Sequence, residues 1–241
     1  MFKSKFHIGF TLAEILITLG IIGIIAAMTL PNLITNYKVK VLKTQFKKAD
    51  ATLQQALLKT SNEVGLDISG FVIGNTHQGT AFNDLKALMP EMNKAWVNQF
   101  TGATRFTGDE HYHQVLVRGI GCRDMMGTQL AGCPVSDGYI LPNGIMITKL
   151  SAYDSGSIGF IEFWFDTNGP FKGPNRLGYD QFRYTSYPEK WYFMCNPTIQ
   201  NSDNQMGCYY YAHKNLNPVD SSKSYWDILY KPINYFKQTE K

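Results

Sequence analysis

A chain of 241 residues has room for one mid-sized domain and an accessory segment, and its 44% hydrophobic and 17% charged content is that of a globular protein. A net charge of +4 is too modest to imply a nucleic-acid partner. The apolar residues are unevenly spread, however, and the N-terminus holds a large share of them.

The chain opens MFKSKFHIG, a short leader carrying Lys3 and Lys5. From Phe10 to Leu30 the only formally charged residue is Glu14. That run of about 21 residues would rise roughly 30 Å as a helix, the thickness of a bilayer's hydrocarbon core. Its eleven Leu, Ile and Phe residues favour insertion by about 5 kcal/mol. A carboxylate at the bilayer centre costs on the order of 3 kcal/mol, and less near an end, where Glu14 lies. The helix can therefore insert with Glu14 in it, and an acid inside a membrane needs a partner. The run is too long for a secretory signal's apolar region, and the small residue, Gly9, precedes it. Cleavage after Gly9 would remove only the basic leader. It would leave a new α-amino group on Phe10, one helical turn from Glu14.

The stretch Gly9-Phe10-Thr11-Leu12-Ala13-Glu14, with the basic leader before it and the apolar run behind it, resembles the signal of type IV prepilins and type II secretion pseudopilins. The resemblance covers roughly residues 1–60. It implies cleavage after Gly9 by a prepilin peptidase, N-methylation of Phe10, and assembly through Glu14 meeting the N-terminal amine of a neighbouring subunit. It also implies the partners: other pilin-like subunits, an inner-membrane assembly platform and membrane lipid. The expected protein is a structural subunit of a pilus or secretion pseudopilus and not an enzyme. It would be a single-pass inner-membrane protein with its C-terminal domain extracytoplasmic, and then a component of the fibre. Lys38, Lys40, Lys43, Lys47 and Lys48 follow the span, and on charge bias alone would point the other way. The alternative is a membrane-anchored extracytoplasmic binding protein or enzyme that keeps its leader.

Pro31 ends the apolar run and is expected to kink the helix. Leu42, Phe46, Ala49, Leu53, Ala56 and Leu57 then recur at spacings of three and four, one apolar face of a helix that resumes. The organisation expected is a leader at 1–9, a transmembrane helix at 10–30, its amphipathic continuation at 31–60, and a globular domain at 61–241. Residues 84–89 predict a short helix stopped near Pro90. Strands are predicted at 112–117, at 138–141 and 145–148 around the turn Pro142-Asn143-Gly144, and at 157–166. The fold class is α+β: a long N-terminal helix whose second half packs on an antiparallel sheet, as in pilins.

Four cysteines lie in the second half of the chain in two close pairs, which suits disulfides in an oxidising compartment. Among three connectivities, spacing favours Cys122–Cys133 and Cys195–Cys208, the second stapling an aromatic, loop-rich tail from Pro188. Asp166-Thr167-Asn168-Gly169 opens like a calcium loop, but an EF-hand would need glycine at Phe171 and an acid at Leu177. Major pseudopilins of type II secretion bind calcium in a C-terminal loop of similar character. Asp166, Asn168 and Asp180 are the candidate ligands, and a Gly/Pro-rich turn is the plainer account. His111 and His113 would share a strand face without a third ligand. No nucleophile-elbow context accompanies the serines.

Overall fold

In the computed structural model, the described residues are 11–74, 80–106, 123–128, 138–154, 158–187, 195, 208–232 and 235. The predicted strand at 112–117 and the His111–His113 pair lie outside them. The chain divides into two compact units, Met1–Val41 and Leu42–Lys241.

Helix α1 runs unbroken from Leu12 to Val64. Thr11 caps it. The Thr11 hydroxyl accepts from the Glu14 N–H at 3.3 Å, and Glu14 Oε2 accepts from the Thr11 N–H at 2.8 Å, a reciprocal box that satisfies two end donors. The helix continues through Pro31, where Thr35 Oγ1 donates to the Pro31 carbonyl at 2.9 Å. Between Leu12 and Val41 no residue is buried. This part of the helix is long and apolar enough to cross a membrane.

From Leu42 onward α1 belongs to the second unit and buries Leu42, Phe46, Ala49, Leu53, Ala56, Leu57 and Thr60. The apolar face read from the spacing is thus the buried face. Expected to end near Lys59, the helix runs on to Val64. Thr60 is buried with its hydroxyl on the Ala56 carbonyl, and Gly65 provides the stop. Gly65 has φ +71°, and the Leu66 N–H reaches back to the Ser61 carbonyl at 3.2 Å, the C-terminal closure that a left-handed glycine permits.

Helix α2 spans Thr80–Asn98 and corrects the short helix expected to stop near Pro90, because Pro90 lies inside it. A proline in a helix interior costs about 3 kcal/mol. Leu85, Met92 and Trp96 are all but fully buried, and at roughly 1.5–3 kcal/mol each their burial outweighs that cost. Asn93 ties α2 to the sheet margin: its Oδ1 accepts from the Leu150 N–H at 2.8 Å and its Nδ2 donates to the Leu150 carbonyl at 2.9 Å.

The described strands are β1 Val72–Gly74, β2 Thr104–Phe106, β3 Gly138–Ile140, β4 Met146–Thr148, β5 Ser151–Asp154, β6 Ile158–Asp166 and β7 Gln181–Thr185. Every pairing is antiparallel. The nine-residue β6 is the hub: β1, β4, β5 and β7 all pair with it, and β3 and β2 continue outward from β4. The predicted hairpin is present, with Tyr139 opposite Ile147 and the Gly144 N–H donating to the Leu141 carbonyl at 2.8 Å. The predicted strand at 157–166 is β6.

The core lies where α1 meets β6 and β7. The Phe46 ring sits 4.7 Å from Phe182, 5.4 Å from Trp226 and 6.3 Å from Phe165. The tail adds a short helix, α3, Cys208–Lys214, and a 3-10 turn, Tyr225–Ile228. Asp50 of α1 fastens α3. Tyr209 donates to its Oδ1 at 2.7 Å, and His213 Nδ1 lies 2.9 Å from its Oδ2.

Candidate functional site

Two places among the described residues hold acids that the sequence singled out. Gly9 and Phe10 lie outside the described residues; Glu14 does not. It stands in the first turn of α1, and its carboxylate accepts from both the backbone and the hydroxyl of Thr11, at 2.8 and 2.7 Å. Leu12, Leu16 and Ile17 around it are exposed. The acid's described partners all come from its own helix, and Pro31 lies within the same helix.

The expected staple is present in part: Cys195 and Cys208 form a disulfide. Met125 packs on it, with its Sδ 3.4 Å from the Cys208 sulfur. Cys122 and Cys133 lie outside the described residues.

The second place is the loop from Asp166, the last residue of β6, to Asp180, just before β7. β6 and β7 pair directly, with Asp166 opposite Gln181, so the loop must close on itself between adjacent strand ends. Its turns are made by its own acids. Asp166 Oδ1 accepts from the N–H groups of Asn168 and Gly169 at 3.0 and 2.8 Å. Asp180 accepts from the N–H groups of Asn175 and Arg176, both at 2.8 Å. The Thr167 N–H donates to the Asp180 carbonyl at 2.8 Å. Gly169 has φ +81°, and a Cβ there would lie 2.6 Å from the Gly144 carbonyl oxygen, so only glycine lets the loop close against the β3–β4 turn.

Asp166 and Asp180 are both fully buried. Among the described residues no ion pair reaches either. Burial pushes the Asp166 carboxyl up to about 7, against the hydrogen bonds from Asn168, Gln181 and Gly169. Asp180 is held well above the usual carboxylate range, first by burial and then by the charge of Asp166. Three buried oxygens here have no hydrogen-bond partner: Thr167 Oγ1, Asn168 Oδ1 and Asn175 Oδ1. Carboxylate, amide and hydroxyl oxygens are the kinds of donor a hard cation takes. Among the described residues no three His, Cys, Asp or Glu side chains come together, which leaves amide and hydroxyl oxygens to complete such a shell.

Asp166, Asn168 and Asp180, the three residues singled out in the sequence, all lie on the segment that joins β6 to β7. Thr167 and Asn175 were not singled out. The signal for Asn175 was its place after Gly173-Pro174 and five residues before Asp180, where an asparagine tolerates the left-handed backbone (φ 52°) that it adopts. No protein-family model, no curated protein and no solved structure matches this chain.

Proposed function

We propose that the chain is a prepilin-like structural subunit that assembles through its N-terminal helix into a type IV pilus or a type II secretion pseudopilus. One observation carries the reading: a single acid, Glu14, in the first turn of a 53-residue helix whose apolar part has no buried residue. Such a surface needs lipid or other copies of itself to cover it. An acid within it needs a cation. Cleavage after Gly9 would create that cation as the α-amino group of Phe10. Each protomer then presents one donor and one acceptor at different heights along its helix. Pairing them between protomers favours a staggered, head-to-tail contact that does not close, and such a contact builds a filament. Desolvation offsets much of the Coulomb gain, so the pair sets register more than it adds stability.

In this reading the protein is a substrate of a prepilin peptidase and has no catalytic role of its own. It would be held in the inner membrane until an assembly platform extracts it, with residues beyond the span on the oxidising side. The Cys195–Cys208 disulfide supports that placement, because such bonds persist outside the cytoplasm. Calcium, where bound, would be held by Asp166, Asn168 and Asp180 and would supply the positive charge that the two buried acids lack.

Replacing Glu14 tests the reading. Glu14→Ala removes the acid and lowers the cost of insertion, so membrane levels should match the wild type while filaments recovered by shearing fall at least tenfold. Wild-type filament yield from Glu14→Ala would remove the pairing role.

A further inference from the structure

We propose that the end of the Leu42–Lys241 unit at which α1 enters it is a docking surface for anionic phospholipid headgroups. Lys43, Lys47 and Lys48 of α1 form it together with Phe171 and Lys172 of the β6–β7 loop. The inference rests on the reading of α1 as a membrane span. It adds a contact made by the folded unit itself, and it requires neither cleavage nor filament assembly.

The contacts made along α1 decide which part of the unit lies at that end. Gln45 Oε1 is 3.5 Å from Asn168 Nδ2 of the loop. Asp50 and Gln54 meet Tyr209 of α3 at 2.7 Å each. Glu63 meets Gln99, just past α2, at 3.0 Å. The elements follow one another along the helix, and of these the β6–β7 loop comes first, nearest in sequence to the apolar run. Gln45 is eleven residues beyond Ile34, so no more than about 16 Å of helix separates the loop's anchor from the end of that run. The headgroup layer takes up about 5–8 Å of this length. About 8–11 Å remains, close to the distance of roughly 8 Å over which a charged surface is felt at physiological salt. Long lysine side chains reach across part of it.

The charge there has one sign. Between Glu14 and Asp50 the chain has five lysines and no acid. Lys43 and Lys47, four apart, share one side of α1. Lys48, three beyond Gln45, stands on the side of the loop. Lys47 and Lys48 are exposed and Lys43 is half-buried. The loop contributes its tip. The Lys172 N–H donates to the Gly169 carbonyl at 3.0 Å, closing a turn that leaves Phe171 62% exposed and Lys172 exposed beside it. Nearby acids do little to offset these charges: Asp166 and Asp180 are buried, and Asp50 is engaged by Tyr209 and His213. An exposed ring next to an ammonium suits a bilayer's interface, where the ring enters the headgroup layer and the ammonium meets phosphate. The lysines that charge bias would place on the other side of the membrane thereby gain a use on this one.

The test places the full chain in lipid nanodiscs, in chelator, and acetylates its lysines with an uncharged reagent, each site being read by mass spectrometry. One disc is phosphatidylcholine alone; the other is phosphatidylcholine and phosphatidylglycerol in equal parts. Lys43, Lys47, Lys48 and Lys172 should react at least about threefold more slowly in the anionic disc. Lys59 and Lys94, both exposed, should react alike in the two. At about 1 M salt, where the screening length falls to about 3 Å, the protection should disappear. A variant combining Lys43→Gln, Lys47→Gln and Lys48→Gln should lose the protection of Lys172. Should that variant fail to fold, the lipid and salt comparisons on the wild type still decide. A chain that enters both discs and is acetylated equally in them would overturn the surface and leave the span standing. A chain that enters neither disc would overturn the span and the surface with it. Protection of Lys172 that survives in the folded triple variant would overturn the joint surface.

Discussion

Glu14 is an exposed acid and Asp166 a buried one, and they are held in different ways. Glu14 is provided for locally by the N–H and hydroxyl of Thr11. Pairing with an amine must then compete with a bond the helix already makes, which suits a register device better than a strong adhesive. Asp166 has amide donors but, among the described residues, no ion-pair partner, and burial that pushes its carboxyl up to about 7 from an ordinary 3.8 gives a definite pH dependence. The folded state holds the proton where the unfolded chain has released it, so stability is fullest below about 4 and falls as pH rises towards 7. In chelator, the melting temperature of the wild type relative to Asp166→Asn should drop by about 5 °C or more between pH 5 and pH 8. Excess calcium should cancel the drop. A difference between the two proteins that stays constant across that range would show that Asp166 is not carrying a displaced proton.

Helix α1 is one continuous helix whose character changes near Leu42: no residue from Leu12 to Val41 is buried, and from Leu42 onward one face is. Phe46 is the residue by which the buried face is measured, since it touches rings from β6, β7, α3 and the 3-10 turn. Phe46→Ala should destabilise the folded unit by about 3–5 kcal/mol. Leu58→Ala, on the exposed side of the same helix, should stay within about 0.5 kcal/mol. Denaturant melting of the two variants checks this; equal losses would mean that α1 is not seated on the sheet by its Leu42–Thr60 face. That face was legible in the sequence because its spacing is local. So were the 138–148 hairpin and β6, where the turn residues and β-formers agree. The length of α2 was not legible. Pro90 is a local stop signal, and what overrides it, the burial of Met92 and of Trp96, with Trp96 against Phe163 and Asn93 bonded to the Leu150 backbone, is contributed in part by residues more than fifty positions away. The orphaned oxygens of Thr167 and Asn175 escaped for a similar reason: Asn175 could be placed in a turn from its neighbours, but an unpaired oxygen is a property of the folded loop.

For the whole molecule, the proposal joins an adhesive helix to a folded head whose internal fastenings are many and specific. The Cys195–Cys208 bond, the Asp50 clamp on α3 and the closed β6–β7 loop all hold segments that short helices and turns alone would leave weakly fixed. In the proposed role, these fastenings would let the Leu42–Lys241 unit keep its shape while the apolar helix exchanged lipid for neighbouring helices. Everything in that account depends on the creation of an amine at Phe10, because without it Glu14 has only Thr11 to meet. Intact-mass measurement of the protein extracted from membranes is therefore decisive. The expected mass is that of the chain lacking residues 1–9, with both members of the Cys195–Cys208 pair oxidised and about 14 Da added at the new terminus by methylation. A membrane form that begins at Met1 would contradict the account.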